Sequence, residues 1–168
     1  MTFPARIKAM VLLSVSLVAV NASATEPIEL YDPSADVEKD VAALIQNAQM
    51  SKKHVMLQIG GNWCGWCHRL HAFLNDDEGL KESLNKNFEV YRLNYSEENK
   101  NLAYLKKLRF PQRFGFPVIV ILDADGKILH TQDTALLEEG KSYNKDKVQT
   151  FLTNWSPGAI DEAKYKEE

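Results

Sequence analysis

Two cysteines, Cys64 and Cys67, are the whole thiol content of this 168-residue chain, and they stand three residues apart. A disulfide stabilises a fold chiefly by closing a long loop in the unfolded chain, so a two-residue spacer makes a poor staple. The spacing suits exchange chemistry better. One thiol attacks a disulfide as its thiolate, and a second, close by, resolves the mixed disulfide. The preceding residues His-Val-Met-Leu-Gln-Ile (54–59) read as a short buried strand ended by Gly60-Gly61, which puts Cys64 at the start of a helix. Free backbone N–H groups and the positive end of the helix dipole favour a sulfur anion there. Cysteines so placed have pKa values of about 3.5–7.5, against about 8.5 when free. Cys64, expected to be the more exposed, is the predicted nucleophile, and Cys67, one turn inside, the resolving thiol. The competing reading is an inert disulfide at the same place.

Other chemistries share these residues. Cys64-Gly65-Trp66-Cys67-His68 also fits c-type haem attachment, although haem proteins of that class are mainly helical and this motif region has a strand on each side. Cys64, Cys67, His68 and His71 fall on one helical face, but four side chains from one straight helix surround an ion poorly. A copper carrier using the two thiolates alone is the stronger metal reading, because soft sulfur suits Cu(I). The exchange reading itself needs no cofactor and no metal. Trp63, Trp66, Phe110, Phe114 and Phe116 cluster in two segments that are expected to meet at the site. They serve either as an apolar platform for an extended substrate or as core, and Trp66, caught between the cysteines, is the one expected to be exposed.

The elements that must position these residues can be read from pattern. Ser34 is the expected N-cap of a helix over 35–50, with Val37, Val41, Leu44, Ile45 and Ala48 at helical spacing. A helix from about Cys64 carries Leu70, Phe73 and Leu74 and breaks near Gly79. Strands are expected over 88–95, 118–122 and 127–132, the last two joined by the turn Asp123-Ala124-Asp125-Gly126. Between them, 97–108 reads as a helix with Leu102, Leu105 and Leu108 on one side, and a closing helix begins at Asn144 or Asp146 and runs to about Trp155. The order predicts a three-layer α/β/α sandwich with a mixed central sheet, in which the cysteines sit where the first core strand hands over to its helix.

The ends of the chain read differently. Arg6 and Lys8, the apolar stretch 10–20 and Ala22-Ser23-Ala24 form a signal peptide over 1–24, too short in its apolar part for the about 20 residues of a membrane span. No membrane anchor is therefore expected. An extended segment follows over 25–34, the folded domain over 35–155, and a polar tail over 156–168. Two of the 20 basic residues lie in the leader, which leaves 18 against 23 acidic ones. That balance gives no reason to expect nucleic acid or an anionic membrane as partner.

Trp63-Cys64-Gly65-Trp66-Cys67 after a buried strand, with Gly115-Phe116-Pro117-Val118 before a hairpin, resembles the active site and cis-proline loop of the thioredoxin superfamily. Within it the chain is similar to the exported bacterial thiol–disulfide reductases and isomerases and to the anterior-gradient proteins. The resemblance implies a thioredoxin-like fold and a thiol–disulfide oxidoreductase, periplasmic or secreted, acting on proteins with disulfides or thiols. It also implies a redox partner, such as a membrane-bound thiol reductase, as electron donor. By the same resemblance Pro117 is cis and packs on the cysteine pair, and Trp63, Trp66, Phe116 and Pro117 form the substrate-binding surface. Two departures stand out. The dipeptide between the cysteines is Gly-Trp, and the buried acid that thioredoxins carry six positions before the first cysteine is Gln58 here. A glutamine takes up no proton in that range, so resolution by Cys67 would need water or another base, and His68, four residues after Cys64, is one candidate.

Overall fold

The computed structural model describes residues 28–166, so the leader read at 1–24 lies outside the described residues. The chain runs through α1 (Val37–Ser51), β1 (His54–Gly60), α2 (Gly65–Asp76), α3 (Glu78–Asn87), β2 (Phe88–Asn94) and α4 (Leu102–Lys107). It continues with β3 (Val118–Leu122), β4 (Ile128–Asp133), the short pair β5 (Glu138–Glu139) and β6 (Ser142–Tyr143), and α5 (Lys145–Asn154). The main sheet has the order β2-β1-β3-β4, with β1 parallel to β2, and β3 antiparallel to both β1 and β4. Every residue of β1 and β3 is buried, as near-continuous apolar runs covered on both faces must be.

Alternation along β1 splits the core in two. Val55, Leu57 and Ile59 join Val118, Val120 and Leu122 against α1 and α4, through Val37, Val41, Ala48 and Leu105. Met56 faces the other way, with Ile119 and Ile121, against α2, α3 and α5 through Leu70, Leu74, Leu80, Leu84, Val148 and Leu152. Gln58 and Gly60 share the parity of Met56 and so point to the α2 side, where the cysteines are. The thioredoxin-like sandwich with a mixed sheet is present as expected.

Local chemistry moved several boundaries. Asp36, not Ser34, caps α1, accepting from the Lys39 N–H at 3.2 Å; Ser34 lies in the turn before it, where Asp32 accepts both its N–H at 2.8 Å and its hydroxyl at 2.6 Å. The break after α2 falls at Asp77, whose carboxylate caps α3 by accepting from the Leu80 N–H, two residues before Gly79. The helix expected over 97–108 shrinks to Leu102–Lys107, and Leu102 is exposed while Leu105 and Leu108 are buried. Asparagines explain the loss. Asn94 Nδ2 donates to the Asn99 carbonyl at 2.8 Å, Asn101 Nδ2 to the Asn94 carbonyl at 2.8 Å, and Asn99 Nδ2 to the Pro33 carbonyl at 2.9 Å. Side chains that bond the backbone in this way compete with helical hydrogen bonding.

Candidate active site

Cys64 is the N-cap of α2, with extended backbone, and its Sγ accepts the Cys67 N–H at 3.1 Å. The Cα atoms of Cys64 and Cys67 are 5.2 Å apart and the two sulfurs are joined in a disulfide. An uncapped first turn offers free N–H donors; here one of them already points at Cys64 Sγ. Exposure does not separate the two cysteines as expected, since they are 4% and 3% exposed. Surroundings do.

Around Cys67 the wall is closed. Tyr31, from the segment before α1, packs with both cysteines and is itself 3% exposed. Its strap is latched by Asn62, whose Oδ1 accepts from the Leu30 and Tyr31 N–H groups at 2.9 and 3.0 Å while its Nδ2 donates to the Tyr31 carbonyl at 2.8 Å. Gly60 forms the floor. A Cβ at that position would collide with Cys67 Sγ and lie 2.9 Å from the Tyr31 hydroxyl. Neither Tyr31 nor Asn62 carries a local sequence signal beyond the closeness of Asn62 to the cysteine motif.

A second wall is aromatic and more open. The Phe116–Pro117 peptide bond is cis, Pro117 is buried, and Phe116 packs against the Cys64, Cys67 and Tyr31 cluster. Among the described residues, the Phe116 N–H and C=O take part in no hydrogen bond of a turn, loop or cap, whereas the Pro117 carbonyl accepts from Thr134 Oγ1. Trp63 stands edge-on to Phe116 at 5.5 Å, and its Nε1 donates to the Tyr95 carbonyl at 2.7 Å. A cleft of about 220 Å³ opens beside it, lined by Trp63, Tyr95, Ser96, Glu97 and Lys100. Trp63 is 60% exposed, and Trp66, expected to be the exposed one, is half-buried. Trp66 lies edge-on to Tyr143 with the Arg69 guanidinium over its ring, so contacts from β6 decide its burial. Phe110 and Phe114 are exposed on the loop leading to Gly115.

The thioredoxin-like family profile matches residues 36–124, more than half of the chain. The chain belongs to the thioredoxin-like family. Among solved structures it is similar to a disulphide isomerase from Xylella fastidiosa, at 24% identity, TM-score 0.66, covering 74% of this chain and 95% of that one. It is also similar to the oxidised C-terminal domain of DsbD from Neisseria meningitidis, at 18% identity, TM-score 0.51, covering 71% and 97%. No curated protein gives a significant sequence match. Family, fold and the Cys64–Cys67 disulfide together support thiol–disulfide oxidoreductase activity.

Behind the disulfide this thioredoxin-like site departs from an acid-based one. Gln58 is 3% exposed and its Nε2 donates to Met56 Sδ at 3.7 Å. Arg92, in register with Gln58 on β2, donates to His71 Nδ1 at 2.8 Å, and its Nε is buried without a partner among the described residues. A guanidinium only donates, so His71 Nδ1 is bare and the ring neutral. Burial, then the Arg92 charge, hold its pKa below the usual histidine value. His68 Nε2 donates to the Asn62 carbonyl at 2.9 Å. Neither ring is hydrogen-bonded to a sulfur, and among the described residues no group of three or more His, Cys, Asp or Glu is placed to hold an ion.

Proposed function

We propose that the protein is an exported thiol–disulfide oxidoreductase that works on protein disulfides in the periplasm or outside the cell, with residues 1–24 as its leader. In the reduced protein, the Cys64 thiolate attacks one sulfur of a substrate disulfide. The substrate S–S bond breaks, its other sulfur leaves as a thiolate that takes up a proton, and Cys64 is held in a mixed disulfide. Cys67, deprotonated, then attacks Cys64 Sγ, the second substrate sulfur leaves and is protonated, and the Cys64–Cys67 bond forms. The substrate gains two electrons and the dithiol loses two. A thiol-redox partner, such as a membrane-bound reductase, returns them.

The observation that carries this reading is the capping of α2 by Cys64 beside the unpaired main chain of Phe116. An extended substrate segment can add to that main chain while Trp63, Trp66, Phe116 and Pro117 receive its side chains. His68, tied through Nε2, leaves Nδ1 to relay a proton to the departing sulfur. Cys64→Ala is expected to reduce insulin at the background rate, and Cys67→Ala to accumulate the mixed disulfide. Full activity in Cys64→Ala contradicts the reading. Direction is read from equilibrium with glutathione: a potential of about −270 mV marks a reductase and one of about −120 mV an oxidant.

A further inference from the structure

The resolving step needs Cys67 as a thiolate, yet the position that would carry a buried acid is Gln58. We propose that the hydroxyl of Tyr31 takes over this task by donating a hydrogen bond to Cys67 Sγ in the reduced protein, which stabilises the resolving thiolate. The inference rests on the assignment of Cys67 as the resolving thiol.

Four features point to it. Tyr31 packs in one buried cluster with Cys64 and Cys67, whose sulfurs are the reacting atoms. Its hydroxyl and Cys67 Sγ crowd the same point above Gly60, where even a Cβ would not fit. The strap's hydrogen bonds run through Leu30 and Tyr31 main-chain atoms and Asn62, so the phenol is placed by the backbone latch and its own proton is uncommitted among the described residues. Finally, burial pushes the Tyr31 phenol above its ordinary range despite the opposing Arg92 charge. A phenol that stays protonated is a donor at every physiological pH and never a base, so it acts by favouring S⁻ rather than by removing the proton. The other titratable groups on the elements packed around Cys67 are His68, Arg69 and His71 on α2, Arg92 on β2 and Tyr143 on β6, and the Arg69 guanidinium lies over the Trp66 ring. Tyr143 donates to the Trp66 carbonyl at 3.3 Å, and both histidines are bonded elsewhere. Arg92 adds positive charge on the Tyr31 side, which favours the same ionised sulfur.

The size of the effect follows from exchange chemistry. A hydrogen bond that lowers a thiol pKa by about one unit raises the thiolate population about tenfold below that pKa, and costs about threefold in intrinsic nucleophilicity. Tyr31→Phe is therefore expected to raise the Cys67 pKa by about one unit and to slow mixed-disulfide resolution about threefold to fourfold. The rate of the first attack by Cys64 should not change.

The test titrates the NMR shift of the Cys67 Cβ carbon in three reduced Cys64→Ser proteins. One keeps Tyr31, one carries Tyr31→Phe, and one has 3-fluorotyrosine in place of Tyr31. Resolution rates are measured in proteins with both cysteines. An upward Cys67 pKa for the phenyl side chain and a downward one for the more acidic fluorophenol support the proposal. The same Cys67 pKa in all three overturns it, as does slowing of both steps without a Cys67 shift, the mark of a merely structural residue. Should Tyr31→Phe not fold, the fluorotyrosine protein decides alone by the presence or absence of its shift. A mixed disulfide mapped to Cys67 instead of Cys64 overturns the order of attack beneath the proposal, whatever the titration gives.

Discussion

The two sides of the Cys64–Cys67 disulfide are built from different materials. On the Cys67 side, the Tyr31 strap, the Asn62 latch and the Gly60 floor leave no room for one more carbon. Next to Cys64, Trp63 is exposed and packs on Phe116, whose main chain is unpaired among the described residues, and a cleft runs past Tyr95. Two sulfurs with nearly equal exposure are therefore distinguished by what borders them. The wall through which a partner can enter, rather than the exposure of the closed disulfide, is expected to decide which sulfur reacts.

The most damaging change to the closed side is Gly60→Val. Its side chain would overlap Cys67 Sγ and crowd Tyr31, at an expected cost of about 3 kcal/mol, seen as a lower Tm and a dithiol that no longer closes on oxidation. Asn62→Ala opens the latch without touching a sulfur. It removes three strap hydrogen bonds and is expected to cost about 2 kcal/mol. Hydrogen exchange should quicken at Leu30 and Tyr31, and Cys67 should alkylate faster after reduction. Trp63→Ala acts on the open side only. Losing the edge-on contact with Phe116 and the bond to the Tyr95 carbonyl is expected to cost about 1 kcal/mol in stability, and losing the exposed ring to raise KM for a protein disulfide about fivefold.

The smallest expected effect is electrostatic and lies behind Cys67. His71 is neutral in the fold with a pKa below its ordinary 6.5, so the unfolded chain binds more protons as the pH drops. Its contribution to stability is present above about pH 6.5 and is lost as pH falls through the lower folded value. His71→Gln, which can still accept from Arg92, is expected to flatten the decline of Tm over that acidic window; equal slopes contradict the assignment.

Much of the scaffold was legible because it obeys local rules. The apolar runs at 54–59 and 118–122 read as strands and are buried throughout, and a strand ended by Gly60-Gly61 placed Cys64 at a helix start. What escaped depends on distant partners. Tyr31 meets the cysteines only because Asn62, 31 residues on, holds its main chain, and no periodicity records such a bond. The roles of Trp63 and Trp66 were exchanged for a similar reason: Tyr143, 77 residues beyond Trp66, covers that ring. The shortened α4 was hidden by asparagines whose side chains prefer loop carbonyls to a helical turn.

The most direct test of the walled and open sides is pulse alkylation of the freshly reduced protein by a small haloacetamide, with the modified cysteine located by mass spectrometry. Cys64 is expected to react at least about tenfold faster than Cys67 at neutral pH. Equal rates, or Cys67 reacting first, would show that the strap does not shield the inner sulfur.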